Sequence, residues 1–437
     1  MQSYYYHQYQ PRNSRKKPFR PGLARMAAAM LASALPQSAP VRIAVNESHE
    51  PAILKSVPQL RLAAFYFAYF GFVGTFSPYF SLYLQSLGHG AAAIGALLAG
   101  QQAMRLLAPT LWAGMADRRG QHAPLLRLAL GMVVVVALAL CFVSDFWMLL
   151  VLMALLGFCT NAALPLFEAI TFMHLRDDIG RYGRLRVWGS IGFIVAVSGI
   201  GMTLDIWPIA LLPWLVLATL AASFAVALSV PDVESPRERP QPVSVWPVMR
   251  RPEVIAFFTA CFLMSVAHGP LYAFYSIHLA DNGWSKTSVG AMWSLGVIAE
   301  IAVFLAMPQL TRRFSMRRLL AFSFACGVVR FAMIGWLVES WLLMALAQLL
   351  HAATFGLYHA TAVSFINRWF AGPLRARGQA LYASLTFGAG GMLGSFGSGQ
   401  IWEMFGSAPT YAAASLCCLG GTMLVLWKLP ADKSTGG

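Results

Sequence analysis

The arginines of this chain are sorted. Twelve apolar stretches follow residue 60, and the connections between them alternate in charge. The even-numbered connections carry Arg118/Arg119, Arg176/Arg181/Arg184/Arg186, Arg237/Arg239/Arg250/Arg251, Arg312/Arg313/Arg317/Arg318 and Arg368/Arg375/Arg377. The odd-numbered ones hold a single base, Lys286, beside Asp145, Asp205, Asp281, Glu339 and Glu403. Lys and Arg are retained on the cytoplasmic side of a bilayer, whereas folding in water gives no reason to sort them. The pattern predicts an all-α integral membrane protein of twelve transmembrane helices, with both termini in the cytoplasm.

Composition removes the competing class. Apolar residues make up 58% of the chain and charged residues 11%, against roughly 25% charged in an ordinary soluble domain. The net charge of +15 would point to nucleic acid in a soluble protein. Here the excess lies in the even connections and the N-terminal tail, so it sets topology and favours anionic lipid. No nucleic-acid-binding motif accompanies it. Cys141, Cys159, Cys261, Cys326, Cys417 and Cys418 all lie in apolar stretches without CxxC spacing. We therefore expect neither disulfides nor a metal site.

The expected spans are 61–86, 91–113, 124–143, 147–168, 184–204, 208–230, 254–280, 287–309, 318–338, 341–365, 378–402 and 407–428. Each is about as long as a helix needs to cross the hydrocarbon. Residues 1–58 read as a disordered cytoplasmic tail, with a basic run at Arg15–Lys16–Lys17 and an Ala-rich patch that only weakly resembles a signal sequence. Pro231–Pro252 is polar, charged and Pro-rich. It divides the chain into a six-helix bundle at 59–230 and another at 253–430, followed by a short tail at 431–437. Two bundles on a cytoplasmic linker are the layout of a transporter built from repeats. Spans five (Gly189, Gly192, Gly199, Gly201) and eleven (Gly388, Gly390, Gly391, Gly394, Gly397, Gly399) are both Gly-rich and occupy equivalent places in the two halves. Glycine lets membrane helices approach closely or bend.

Charges in mid-span are costly and mark function. Arg105, Glu300 and Arg330 are such charges, and Glu168 is a marginal one. The first three sum to one net positive charge, which a bound anion would neutralise. Arginine suits a carboxylate because its planar fork pairs with two oxygens. Glu300 is the candidate proton carrier, since burial and a nearby arginine move a carboxyl in opposite directions. Trp293 lies on its helix face. His351, Thr354, Tyr358 and His359 share one face of span ten, and His268, Tyr272 and Tyr275 one face of span seven. Tyr69, Phe72, Phe76, Tyr79 and Tyr83 form an aromatic stripe along span one. That stripe is either helix packing or a stacking wall for a ring.

The segment Ala113-Gly114-Met115-Ala116-Asp117-Arg118-Arg119-Gly120, read as a loop after span two, resembles the signature loop of the major facilitator superfamily. Its Asp117-Arg118-x-Gly120 core matches, while Ala113 stands for the first Gly and Gln121-His122 for the usual basic pair. The resemblance implies a gating role for Asp117 and Arg118. Longer matches lie in Tyr182–Ser190, Trp293–Glu300, Gly327–Arg330 and Leu350–Phe355. Together they resemble the bacterial 3-phenylpropionate (hydrocinnamate) transporters, relatives of the lactose permease and nucleoside proton symporter group, over about 60–430. In that likeness Arg330 and His351 match a functional Arg and His of the lactose permease. Thr354 replaces its acidic proton carrier, which leaves Glu300 for that task.

The resulting expectation is a secondary active transporter without cofactor and without enzymatic chemistry, a monomer in the bacterial inner membrane. It would take up a small aromatic carboxylate with protons by alternating access. Arg105, Arg330, His268, His351, Tyr272, Trp293, Tyr69 and Tyr79 would contact substrate, with Glu300 carrying the proton. A sugar or nucleoside proton symporter, or an efflux pump of the same fold, is the alternative. A non-transporting membrane sensor is the alternative of another class.

Overall fold

The computed structural model describes residues 57–176, 178–233 and 243–430. The tail 1–58, apart from its last two residues, the middle of the linker at 234–242 and the tail 431–437 lie outside the described residues. The principal helices are α1 (Gln59–Ser86), α2 (Ala91–Arg119), α3 (Ala123–Leu140), α4 (Phe146–Leu175), α5 (Tyr182–Ile206), α6 (Leu212–Ser229), α7 (Pro252–Asp281), α8 (Lys286–Arg313) and α9 (Met316–Trp336). Then come α10 (Trp341–Trp369), α11 and α12 (Ser407–Lys428). Wider π turns interrupt two of them, Ala352–Leu357 within α10 and Ala383–Gly390 within α11, the latter between Arg375–Tyr382 and Gly391–Phe405. Such turns recur at functional sites.

Eleven helices among the described residues are long and apolar enough to cross a membrane. The Gly-rich α11 is not among them. The lipid-facing surface bears the same reading. Val135, Val151, Leu305 and Leu416 are exposed at mid-helix, where water would penalise them as one broad apolar surface. Exposed tryptophans Trp147, Trp207, Trp336, Trp341 and Trp427 sit at helix ends, the depth of a membrane–water interface.

Local chemistry explains where helices start. Asp145 accepts from the amides of Trp147 and Met148 at 3.0 Å each and so opens α4. Ser285, Ser315 and Ser340 cap α8, α9 and α10 in the same manner. Each satisfies a donor that has no partner inside its helix. One expectation is corrected. The signature segment is not a loop, because α2 continues through Ala113–Arg119 and stops only at Gly120, which is left-handed at φ 66. Gly114 keeps helical geometry and only Gly120 turns left-handed, so the helix extends past the apolar stretch.

The packing repeats. In the first six helices α1 packs on α5 and α6, α2 on α4, and α3 on α4 and α6. Six helices later α7 packs on α11 and α12, α8 on α10, and α9 on α10 and α12. Between the two groups α2 packs on α11, α5 on α8, and α1 on α7. Exchanging the groups converts each of the first two contacts into the other, so a pseudo-twofold axis relates them.

Glycine makes two equivalent contacts possible. A Cβ on Gly192 of α5 would run into the Phe67 carbonyl of α1, and one on Gly269 of α7 would run into Gly394 of α11. With no hydrophobic drive between helices in lipid, this backbone proximity is what holds them. Gly192→Ala is expected to cost about 1–3 kcal/mol through overpacking, read as a lower melting temperature in detergent. Gly199→Ala, where a Cβ meets nothing within 4 Å, should be close to neutral.

Candidate functional site

Arg330 of α9 has the largest fully buried side chain, with 0% exposure. All its donor positions point at α10. Nε donates to the Ala347 carbonyl at 3.0 Å, Nη1 to Thr354 Oγ1 at 3.1 Å and Nη2 to Gln348 Oε1 at 3.2 Å. Thr354 in turn donates to the His351 carbonyl at 3.3 Å. A buried guanidinium needs hydrogen-bond partners, and α10 supplies one to each of its three nitrogens. Its side chain clamps α9 to the start of the π turn in α10.

That clamp presents His351 to α8. His351 Nε2 lies 2.7 Å from Glu300 Oε1, with the two side chains 7% and 14% exposed. A nitrogen–oxygen bond of this length holds one proton between an imidazole and a carboxyl. The positive charges of Arg330 and, from α5, Arg186 lie within electrostatic reach of the carboxyl. His268 of α7 has its ring 6.3 Å from that of His351. Its Nδ1 donates to the Met264 carbonyl at 2.8 Å, which leaves Nε2 as an acceptor in the neutral ring. Nε2 of His268 and Nδ1 of His351 are buried with no protein partner among the described residues.

Aromatic rings flank this cluster. Tyr272 stacks on Trp293 at 6.0 Å, and Tyr275 meets Trp293 edge-on at 5.8 Å. Trp293 Nε1 donates to Ser276 Oγ at 3.2 Å, which fixes the indole. Tyr272 lies within electrostatic reach of Glu300, Arg330 and Arg105, so it stands where the two groups of helices face each other. A small cavity of about 20 Å³ lies beside it, lined among others by His268, Phe355 and Phe387. That is room for about one water.

Arg105 of α2 faces the cluster from the other group. Its Nε donates to Asn161 Oδ1 of α4 at 3.0 Å. Its terminal nitrogens have no protein acceptor among the described residues, and the side chain is half-buried. Tyr69 and Tyr272 are within its electrostatic reach. Tyr69 donates to the Thr160 carbonyl at 2.9 Å. Tyr79 is elsewhere. Fully buried near the odd-connection end, it donates to the carbonyls of Val197 at 2.7 Å and Lys286 at 3.2 Å. Its phenol ties α1 to α5 and α8. Arg118 is exposed at the end of α2, and the Asp117 side chain lies outside the described residues. Glu168, marginal in the sequence, is buried within α4 and accepts from Tyr182 at 3.0 Å.

The profile of the MFS_1 like family matches residues 59–413. The chain belongs to this family. It is a multi-pass membrane transporter of the major facilitator type. The chain is 30% identical to the "Probable 3-phenylpropionic acid transporter" of Escherichia coli (strain K12), over 78% of its own length and 93% of that protein. It is 24% identical to a maltose permease of Geobacillus stearothermophilus, covering 85% of this chain and 95% of the permease. Among solved structures it resembles the nucleoside transporter NupG, with a TM-score of 0.72 at 17% identity over 84% of this chain and 97% of that one. This last likeness concerns the fold alone.

Sequence reasoning found the ionisable members of the cluster and missed their partners. Gln348, Asn161 and Ser276 are uncharged, and nothing in an apolar stretch marks which amide or hydroxyl faces inward. Gln348 stands three residues before His351 on the same helix face, which was the available signal.

Proposed function

We propose that this chain is a proton-coupled importer of a small aromatic carboxylate, and the Glu300–His351 pair carries that reading. One proton lies between Oε1 and Nε2 at 2.7 Å. Loss of that proton leaves a carboxylate facing an imidazole lone pair, and the two must separate. Glu300 is on α8 and His351 on the π turn boundary of α10, so proton release would move one helix against the other. A coupled transporter needs such a linkage between protonation and conformation.

In this reading Arg105 takes the substrate carboxylate. Tyr272 and Trp293 stack on the ring, His268 offers a polar contact, and Arg330 holds the framework. Tyr69 shapes the wall beside Arg105. The chain would cross the bacterial inner membrane twelve times, α11 included, with both termini cytoplasmic. The halves 59–230 and 253–430 would rock about the midplane as a monomer, with Asp117 and Arg118 guarding the cytoplasmic ends. Glycines suit α11 to a span that bends and packs closely, which explains its modest hydropathy.

Uptake of radiolabelled 3-phenylpropionate into proteoliposomes tests this directly. Accumulation above equilibrium under an inward proton gradient is the expected result. Equilibration without dependence on the gradient would remove the proton role, and binding without flux would favour a sensor. Arg105→Gln should raise KM for the carboxylate about tenfold to a hundredfold, the loss of a charge-assisted pair. A sugar or nucleoside symporter, the reading that the maltose and nucleoside relatives favour, would lose far less. An efflux pump would show concentration of substrate only in vesicles of inverted orientation.

A further inference from the structure

At the odd-connection end of the molecule two helices begin without a complete set of caps of their own. The first turn of α8 obtains one cap locally, where Ser285 Oγ accepts from the Ser288 amide at 3.1 Å. The two preceding amides are met from α5. Asp205 accepts from Lys286 N at 2.8 Å and from Thr287 N at 2.9 Å, one carboxylate oxygen to each. The first turn of α2 has a glycine, Gly90, at its N-cap and no side-chain cap of its own. Its Ala92 amide donates at 3.1 Å to Glu403 of α11. A Cβ at Gly90 would stand 2.9 Å from the Glu403 carboxylate, so the glycine makes room for this approach.

These two contacts are one contact repeated by the pseudo-twofold. α5 and α11 are the fifth helices of their groups, and α8 and α2 the second. In each case a carboxylate at the C-terminal end of the fifth helix reaches across and caps the second helix of the other group. The helix dipole reinforces both, because negative charge is favoured at a helix N-terminus. Both carboxylates are partly open to solvent, so each contact can be broken without burying a charge. Around them the groups are in close apposition. Ser198 Oγ of α5 lies 3.1 Å from Ser294 Oγ of α8. Gly95 of α2 is set directly against Gly399 of α11.

We infer that Asp205 and Glu403 are matched gate latches that hold the odd-connection end closed by capping the second helix of the opposite half. The placement of this end on the outer side rests on the topology proposed above, while the contacts do not. In the alternate state α8 and α2 lose these caps, so the latches bias the molecule toward the state that is open on the side of the even connections.

The test uses the full-length protein in proteoliposomes, without substrate or gradient. Ser198→Cys and Ser294→Cys are combined, and oxidative cross-linking is followed by nicking the linker at 231–252 and asking whether the halves stay joined on a non-reducing gel. Asp205→Ala with Glu403→Ala is expected to slow cross-linking about tenfold, with each single variant in between. Asp205→Asn should restore part of the rate, because its one acceptor oxygen can keep one of the two α8 amides capped without the charge. An unchanged rate in the double Ala variant would overturn the latch. So would failure of Asn to rescue, which would assign the effect to net charge. If the double variant does not survive extraction, the single Asp205→Ala and Asp205→Asn pair decides in the same way. A membrane-impermeant maleimide should label Ser198→Cys faster in the latch-less background from the outer face. Labelling from the cytoplasmic face instead would overturn the proposed topology and leave the cross-linking result standing.

Discussion

Glu300→Gln should reduce gradient-driven accumulation to unity while substrate still exchanges across the membrane. A one-to-one symporter converts a tenfold proton gradient into about tenfold accumulation, equivalent to about 1.4 kcal/mol. The reason for total loss is in the 2.7 Å contact with His351. Glutamine keeps the length and volume of glutamate and can donate an N–H to the imidazole. The contact therefore persists, but no titratable proton sits in it. The α8–α10 joint would then open and close without a proton being picked up or released. Accumulation against counterflow in the same vesicles separates the two behaviours. Full accumulation in Glu300→Gln vesicles would remove Glu300 from coupling altogether.

Arg330→Met should be the most destabilising single change in the protein. It removes the donor of three bonds to α10 and leaves Thr354 Oγ1, Gln348 Oε1 and the Ala347 carbonyl to find others in a dry interface. Each buried acceptor left without its donor costs about 1–3 kcal/mol. Lysine should not rescue, because a single ammonium cannot reproduce three donors spread over a planar fork. Thermal unfolding in detergent measures the loss, and both Arg330→Met and Arg330→Lys should melt well below the parent. A stable Arg330→Met protein with a raised KM would return Arg330 to the substrate, as the sequence alone had placed it. Reading Arg330 as a clamp also changes what its likeness to the lactose permease arginine implies. Here its three nitrogens hold α10, and its charge lies within electrostatic reach of Tyr272 and Glu300.

Much of this protein is legible without coordinates. The connections that carry arginine are all even-numbered, and the hydrocarbon thickness fixes how long each apolar stretch must be. Arg105, Glu300 and Arg330 stand out because charge in an apolar run is expensive wherever it points. The aromatic stripe of α1 is periodic and therefore visible, though its role is not. Tyr79 and Tyr69 look alike in sequence, yet one ties α1 to α5 and α8 while the other lies beside Arg105. The signature segment looked like a loop because it is polar. It is helix because Gly114 stays helical and the turn stops only where Gly120 goes left-handed.

The sequence by itself determined that the chain is a bundle of membrane helices, where they begin to within a few residues, and which side chains are too costly to be idle, while α2 and α4 run six and seven residues past their expected ends. It did so because partition into lipid, helix capping and charge retention each act residue by residue. Only the tertiary structure decided which partners meet. Glu300 meets His351, Arg330 meets Gln348 and Thr354, and Asp205 and Glu403 meet the amides of helices in the opposite group. In lipid nearly the whole circumference of each helix is apolar, so no hydrophobic stripe marks its inner face. The rotation and register of each helix are set by glycine contacts and polar pairs between distant segments.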